Sequence, residues 1–131
     1  MGGKILVVDD SLMVRQQVSR ALEGAGFNVI EAHDGEDALA KLAESSDTAL
    51  VVLDVNMPNM GGLELLESLR GRDEYKSLPV VMLTTEGQPR LMQRAKALGA
   101  KGWIIKPFKP DLLVAAVHKL TAAALPAPSR A

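Results

Sequence analysis

The chain has 131 residues, a length that suits one domain with a buried core. Its formal net charge is -1 and 24% of its residues are charged, so neither sign indicates a nucleic-acid or membrane surface. It has no cysteines, which excludes disulfides, zinc–thiolate sites and thiol catalysis. The apolar runs fall short of the roughly 20 residues of a membrane span, and no secretory pattern opens the sequence. We therefore expect a cytoplasmic protein.

Five short apolar segments alternate with helical patterns. The strand candidates, rich in Val, Ile and Leu as in strands buried on both faces, are residues 4–8, 28–32, 49–54, 79–84 and 102–106. The first helix is expected to stop near Gly24 and Gly26, and Asp34 is expected to cap the second. Pro89 and Pro110 suit the first turns of the fourth and fifth helices. Strands alternating with single helices predict an α/β fold with a parallel sheet covered on both sides.

Polar residues end four of the five strand candidates, namely Asp9-Asp10, Asp54, Thr84-Thr85 and Lys106. In an open parallel sheet these strand ends share one rim, and ligands bind in the crevice outside it. Three crowded carboxylates repel one another and raise one another's pKa, a conflict that a divalent cation removes. The oxygen donors suit Mg²⁺, whereas no His or Cys at these strand ends supports zinc or copper.

An aspartate beside Mg²⁺, with a lysine and a hydroxyl in reach, describes a phosphoryl-transfer site. The Asp54 carboxylate can attack phosphorus and form an acyl phosphate. Mg²⁺ and Lys106 would neutralise charge on the phosphoryl oxygens, and Thr84 would donate a hydrogen bond to one of them. This chemistry explains why a carboxylate stands at the end of a buried strand.

The motifs VVDD, LDVNMPNMGG, MLTTE and WIIKPF, in this order, resemble the receiver domain of two-component response regulators. The resemblance covers roughly residues 4–120. It implies a doubly wound five-stranded parallel sheet, the (βα)5 flavodoxin-like or CheY-like fold with strand order 2-1-3-4-5. The receiver domain would span residues 1–121, and a flexible Ala/Pro-rich tail would span 122–131. Such a domain is a signalling switch that catalyses only its own phosphorylation and autodephosphorylation.

The resemblance also assigns roles at the rim. Asp54 becomes the phosphoacceptor, and Asp10 and Asp54 bind Mg²⁺ directly, with Mn²⁺ as a possible substitute. The backbone carbonyl of Asn56 completes the metal ligands, and Asp9 acts mainly through a bound water. Lys106 contacts the phosphoryl group, and the peptide bond from Lys106 to Pro107 is expected to be cis.

Further roles concern the response to phosphorylation. The resemblance implies that Thr84 moves toward the phosphoryl group and that Trp103, where relatives usually carry Tyr or Phe, turns inward with it. Asn56 and Glu86 match positions that tune autodephosphorylation, which implies a short-lived phosphoryl state.

The implied partners are a histidine kinase as phosphodonor and a protein target on the face of the fourth helix, fifth strand and fifth helix. That face is locally basic, which indicates an acidic partner, and it includes residues near Gln88, Arg90, Arg94, Lys101, Trp103 and Lys109. The protein is expected to be a monomer that contacts no nucleic acid or membrane directly. The expected process is chemotaxis or motility control.

Each site residue also has a plain structural interpretation. Asp9 and Asp10 could cap the first helix, and Asp54 could be an ordinary loop aspartate. Thr84 could bond to the backbone, Lys106 could be a snorkelling surface lysine, and Trp103 could simply pack against the sheet edge. The glycine pair of residues 61–62 is expected to shape a turn rather than bind phosphate.

Three rival functions remain open. The chain could be a receiver within a longer response regulator that has a separate output domain. It could be a phosphorelay intermediate that passes its phosphoryl group to a histidine. The third rival is an aspartate-based phosphatase of the haloacid dehalogenase type, but Asn56 stands where that family carries its general acid.

Overall fold

The computed structural model describes residues 3–55, 57, 61–85 and 89–124. Five strands and five helices alternate along this part of the chain, as predicted. The strands are β1 Lys4–Val8, β2 Asn28–Ala32, β3 Thr48–Asp54, β4 Val80–Thr84 and β5 Gly102–Ile105. The helices are α1 Leu12–Gly24, α2 Gly35–Glu44, α3 Gly62–Arg70, α4 Pro89–Ala97 and α5 Pro110–Ala124.

The five strands form one parallel sheet in the order β2-β1-β3-β4-β5. This order confirms the doubly wound α/β fold. The chain starts in β1 near the middle, goes outward to β2, and returns to β3 before it continues to the opposite edge. The strand order reverses between β1 and β3, so the crevice for ligands is expected at their carboxyl ends.

Each face of the sheet carries its own hydrophobic cluster, because successive residues of a strand point to opposite faces. On one face the strands pack against α2, α3 and α4, which contribute Leu42, Leu66 and Ala95 among others. On the other face they pack against α1 and α5, through residues such as Leu22 and Val117. The central strands β1, β3 and β4 are therefore buried on both sides, as their Val-rich and Leu-rich sequences predict.

The edge strands depart from that pattern. β2 is only half-buried over most of its length, and Ile105 at the end of β5 is 50% exposed. The composition of residues 28–32 and 102–106 predicted burial on both faces. That prediction is wrong for β2 and β5, because each is an edge strand with a neighbour on only one side.

The helix ends follow the capping signals in the sequence. The Asp34 carboxylate accepts the backbone N–H of Asp37 at 2.8 Å, so Asp34 caps α2 as predicted. After α1 and α4 the chain turns at Gly26 and Gly99, whose φ angles are 98° and 85°. The last helix continues to Ala124, three residues into the region expected as tail, and residues 125–131 lie outside the described part.

No helix in the described ranges combines the length and the apolar character that crossing a bilayer requires.

Candidate functional site

The carboxyl ends of β1, β3 and β5 bring three charged side chains together. Asp9 follows the last residue of β1, Asp54 ends β3, and Lys106 follows the last residue of β5. The Lys106 ammonium lies 3.2 Å from Asp9 Oδ2 and 3.3 Å from Asp54 Oδ1. Residues 97 positions apart thus meet because parallel strands end at the same rim.

Both carboxylates of this contact are buried, whereas a third lies beside them in solvent. Asp9 is 1% exposed and Asp54 is 3% exposed. Asp10 is exposed, and one carboxylate oxygen from each of Asp9, Asp10 and Asp54 lies within 4.8 Å of the other two. We call these three residues the acidic pocket. Among the described residues it is the one group of His, Cys, Asp and Glu side chains with metal-site spacing.

The donor set of the acidic pocket fits Mg²⁺, which prefers oxygen ligands and retains several waters. Both oxygens of Asp9 already have protein partners, since Oδ1 accepts the N–H of Ser11 at 2.8 Å and Oδ2 accepts from Lys106. Asp9 would therefore bind a metal through water, whereas the exposed Asp10 and the strand-end Asp54 would coordinate it directly.

Burial and charge act in opposite directions on the ionisable groups of the pocket. Burial and the neighbouring Asp9 charge raise the pKa of Asp54 to about 6, despite the opposing effect of Lys106. Burial would lower the pKa of Lys106, but the carboxylates of Asp9 and Asp54 outweigh it and raise that pKa. Asp54 is therefore ionised at neutral pH, although its burial makes the ionised form less favourable than in an exposed aspartate.

The cap interpretation of Asp9 and Asp10 is only partly right. Ser11 is the N-cap residue of α1, and its hydroxyl accepts the N–H of Val14 at 3.3 Å. Asp9 accepts the N–H of Ser11, one residue before the helix, so it fixes the start of α1 without capping it. The same carboxylate therefore connects the helix start to Lys106.

Thr84 ends β4, next to the strand that carries Asp54. It is 1% exposed, and its carbonyl accepts the N–H of Lys106 at 2.6 Å. In the sheet register Asp54 pairs with Leu83, which places Thr84 one residue beyond the phosphoacceptor candidate. The backbone of Thr84 thus connects β4 to the lysine of the pocket. The peptide bond from Lys106 to Pro107 is cis, as the resemblance implies.

Trp103 lies in β5 and packs on the face of the sheet that α2, α3 and α4 cover, opposite to the face that α1 and α5 cover. It pairs with Met82 in the register and packs half-buried against the cluster that α2, α3 and α4 cover. Its indole Nε1 is buried and has no hydrogen-bond acceptor within the described ranges. It also lines a groove of about 490 Å³ that includes Met92, Gln93 and Lys101. The structure therefore supports packing of Trp103, with no described residue accepting its indole N–H.

Gly62 is closer to the site than its interpretation as a turn residue suggested. It is the first residue of α3, and a Cβ added there would lie 2.2 Å from the carbonyl oxygen of Asp54. The N–H of Gly62 donates to the carbonyl of Val55 at 2.9 Å. Glycine is therefore required for the close approach of α3 to the end of β3. Sequence spacing offered no signal for this contact beyond the glycine pair itself.

Some predicted residues lie outside the described ranges. They are Asn56, Glu86 and Gln88. Their assignments as metal ligand, dephosphorylation-tuning residues and partner-face residue stay predictions.

Comparison with known proteins identifies the family of the chain. The family model for the response regulator receiver domain matches residues 5–118. The chemotaxis protein CheY1 of Helicobacter pylori is 39% identical over 111 residues, which cover 84% of this chain and 90% of that protein. The structure of chemotaxis protein CheY4 from Vibrio cholerae has a TM-score of 0.86 at 42% identity, covering 92% of this chain and 99% of that one.

A longer protein also contains a similar domain. The alignment with the structure of NtrX from Brucella abortus covers 95% of this chain but only 28% of the NtrX chain, at 32% identity and a TM-score of 0.86. The chain belongs to the response regulator receiver family, and its domain is of the CheY type.

Proposed function

We propose that this receiver domain is a phosphorylation-dependent switch that accepts a phosphoryl group on Asp54 from a histidine kinase. The observation that carries the proposal is the position of Asp54. It is buried at the strand end, within 3.3 Å of the Lys106 ammonium, and shares the acidic pocket with Asp9 and Asp10. A nucleophile, a cationic partner and a set of metal ligands thus occupy one small volume.

In the transfer step an oxygen of the Asp54 carboxylate forms a bond to phosphorus. The bond from phosphorus to the donor's imidazole nitrogen breaks, and its electron pair stays on that nitrogen. Mg²⁺ held by Asp10 and Asp54, with Asp9 through water, would supply charge neutralisation for the phosphoryl oxygens. Lys106 would pair with one of those oxygens. In the later hydrolysis, water attacks phosphorus and the bond from phosphorus to the Asp54 oxygen breaks, which regenerates the carboxylate and releases inorganic phosphate.

The ion pairs of Lys106 favour this chemistry. Its ammonium already lies between Asp9 and Asp54, so an added phosphoryl group on Asp54 would be met by a cation without a long movement. The raised pKa of Lys106 keeps it charged at neutral pH. A fixed cation aimed at developing negative charge stabilises the transition state more than a mobile one, because it needs no reorganisation.

Intact-mass spectrometry after incubation with acetyl phosphate tests the proposal. Wild type in Mg²⁺ should gain one phosphoryl group, whereas wild type in EDTA and Asp54→Asn in Mg²⁺ should gain none. Circular dichroism of Asp54→Asn controls for folding. A phosphoryl group on folded Asp54→Asn, or no gain by wild type when the reaction is quenched within seconds, would overturn the proposal.

The response would travel through Thr84 and Trp103 to the face formed by α4, β5 and α5. A phosphoryl group adds roughly -1.5 to -2 of charge at one point, which would draw the Thr84 hydroxyl toward it. Trp103 lies on the same face of the sheet as Met82 and lines the groove beside α4. A change in its packing would therefore alter the surface that a target protein contacts.

The basic character of that face supports an acidic target. Arg90, Arg94 and Lys101 are exposed there, although Arg94 Nη2 also meets Glu67 Oε1 at 3.1 Å. Arg94→Glu should weaken binding of the target that is captured with the phosphorylated protein. Unchanged target affinity would argue against an acidic partner while leaving the phosphoryl chemistry untouched.

A receiver within a longer regulator is the second candidate, because the similar domain of NtrX makes up only 28% of that chain. The full-length gene product distinguishes the two: a following output domain would support the alternative. A phosphoryl half-life of seconds to minutes without a partner would support the switch over a phosphorelay intermediate, which must keep its phosphoryl group until a histidine accepts it.

A further inference from the structure

Arg15 contacts the backbone of the acidic pocket from α1. Its side chain is 15% exposed, and its Nη1 donates to the carbonyl oxygen of Asp9 at 2.7 Å. The Nε of the same guanidinium donates to Glu31 Oε1 at 3.1 Å. Arg15 therefore connects Glu31 of the edge strand β2 to Asp9 of the acidic pocket.

The carboxylate of Glu31 is itself fixed from two sides. Ser19, four residues after Arg15 and thus on the same face of α1, donates its hydroxyl to Glu31 Oε2 at 3.0 Å. Both oxygens of Glu31 are therefore bonded to α1, one by Arg15 and one by Ser19. Such a doubly bonded carboxylate restricts the rotamers of Arg15, because any other guanidinium position loses a charged hydrogen bond.

The carbonyl that Arg15 binds has a particular position. The N–H of Asp9 bonds to Ala32 in the neighbouring strand at 3.2 Å, but β1 ends at Val8, before this carbonyl. The carbonyl of Asp9 and the N–H of Asp10 belong to one planar peptide unit. By binding the carbonyl, Arg15 fixes the orientation of the plane from which Asp10 begins.

Asp10 depends on this restraint more than the other acidic residues do. Asp9 is held by Ser11 and Lys106, and Asp54 is held at the end of a central strand by Lys106. Asp10 is exposed and lies two residues after Val8, the last residue of β1. Fixing its backbone limits where its carboxylate can go, which lowers the conformational entropy lost when a cation binds.

We propose that Arg15 is a positioning residue for the divalent-cation site, with Glu31 and Ser19 fixing its guanidinium. It acts through the peptide unit between Asp9 and Asp10 and does not touch the cation. The proposal rests on the proposed function, because it takes the acidic pocket as the Mg²⁺ site. Outer partners of this kind orient the groups that bind a metal.

The sign of the effect separates positioning from charge. Arg15 is a cation near a cation site, so by electrostatics alone its removal would strengthen Mg²⁺ binding. Positioning predicts the opposite. Arg15→Gln should therefore weaken Mg²⁺ binding about 10-fold, the size typical for loss of an outer partner.

Isothermal titration calorimetry with MgCl₂ measures this directly. The matched control is Arg20→Gln, which removes the same charge from an exposed position on the same helix and should change the affinity by less than about twofold. Ser19→Ala changes no charge and loosens Glu31, so it should weaken Mg²⁺ binding by about threefold, less than loss of the outer partner itself. Thermal unfolding in EDTA shows whether each variant is folded.

Unchanged or tighter Mg²⁺ binding by folded Arg15→Gln would overturn the proposal, even if its melting temperature fell. If Arg15→Gln does not fold, Ser19→Ala decides, and an affinity equal to that of wild type would overturn it. Failure of wild type to bind Mg²⁺ would instead overturn the metal site of the proposed function, and this inference with it. If wild type binds Mg²⁺ and both Arg15→Gln and Ser19→Ala bind it more weakly, the metal site and the positioning role of Arg15 are both supported.

Discussion

Two neighbouring regions of the sheet treat their buried polar groups in opposite ways. In the acidic pocket, Lys106 contacts two carboxylates and Asp9 has a partner for each of its oxygens. Across the sheet, the buried indole N–H of Trp103 has no acceptor in the part of the chain that the structure describes. Buried polar groups without partners are rare in folded proteins.

The difference indicates which region is already arranged for its task. A pocket whose charges are held in place can receive a metal and a phosphoryl group with little rearrangement. A buried donor without an acceptor costs about 1–3 kcal/mol, so an arrangement that offers an acceptor is favoured by up to that amount. We therefore regard the pocket as the fixed part of the switch and the surroundings of Trp103 as the part that changes.

The largest expected loss of stability follows removal of the Lys106 ammonium, which contacts both buried carboxylates of the pocket. Lys106→Met leaves the buried Asp9 and Asp54 facing each other without compensation. We expect the free energy of unfolding in EDTA at pH 7.5 to fall by about 3 kcal/mol. Urea unfolding measures it, and Lys119→Met, an exposed lysine on α5, is the control. Equal stability of Lys106→Met and wild type would mean that the pocket is not held by this contact.

The next effect concerns the backbone beside Asp54, the proposed phosphoacceptor. Gly62→Ala would place a methyl group 2.2 Å from the carbonyl oxygen of Asp54, so α3 must shift away from β3. We expect a loss of about 2 kcal/mol in the free energy of unfolding. Gly24→Ala, where an added Cβ meets nothing within 4 Å, should not destabilise the protein. Similar unfolding curves for both variants would show that the approach of α3 is not tight.

A smaller effect depends on pH. The pKa of Asp54 lies near 6 in the folded protein and near 3.8 in the unfolded chain, so between these values the folded state binds the extra proton. The metal-free wild type should lose stability as pH rises from about 4 to about 7, and the loss should remain above that range. Asp54→Asn should remove this slope and be more stable by about 1–2 kcal/mol at pH 7.5. Thermal unfolding of both proteins in EDTA at pH 4.5 and 7.5 measures the slope and the stability difference. If Asp54→Asn were more stable than wild type by the same amount at both pH values, the slope could not be assigned to Asp54.

The smallest expected change in stability concerns the Trp103 region. Trp103→Phe removes an N–H for which no described residue is an acceptor, and it also removes some apolar contact, so the two changes oppose each other. We expect the free energy of unfolding to change by less than about 1 kcal/mol. Loss of several kcal/mol in urea unfolding would mean that the indole N–H has a strong acceptor after all.

The sequence predicted the frame of the site well, for a physical reason. Residues that end parallel strands must share a rim, so Asp9, Asp54 and Lys106 could be placed together from strand candidates alone. The limits of the elements followed from capping residues such as Asp34 and from the glycine turns.

Contacts between distant elements were not predictable in the same way. The bond from Arg15 to the Asp9 carbonyl depends on the rotamer of a long side chain and on the packing of α1 against β2. The proximity of Gly62 to Asp54 depends on a helix–strand distance. The half-exposure of β5 depends on its position at the edge, which its apolar composition does not reveal.

Amide spectra of ¹⁵N-labelled protein, recorded with Mg²⁺ and then with acetyl phosphate, test the comparison most directly. The chain has one tryptophan, so one indole N–H signal reports on Trp103. We predict that Mg²⁺ alone shifts the amides of Asp9, Asp10 and Asp54, and that acetyl phosphate then shifts the indole signal in wild type but not in Asp54→Asn. An indole signal that moves with Mg²⁺ alone, or stays in place in fully phosphorylated protein, would contradict the division into a fixed pocket and a changing Trp103 region.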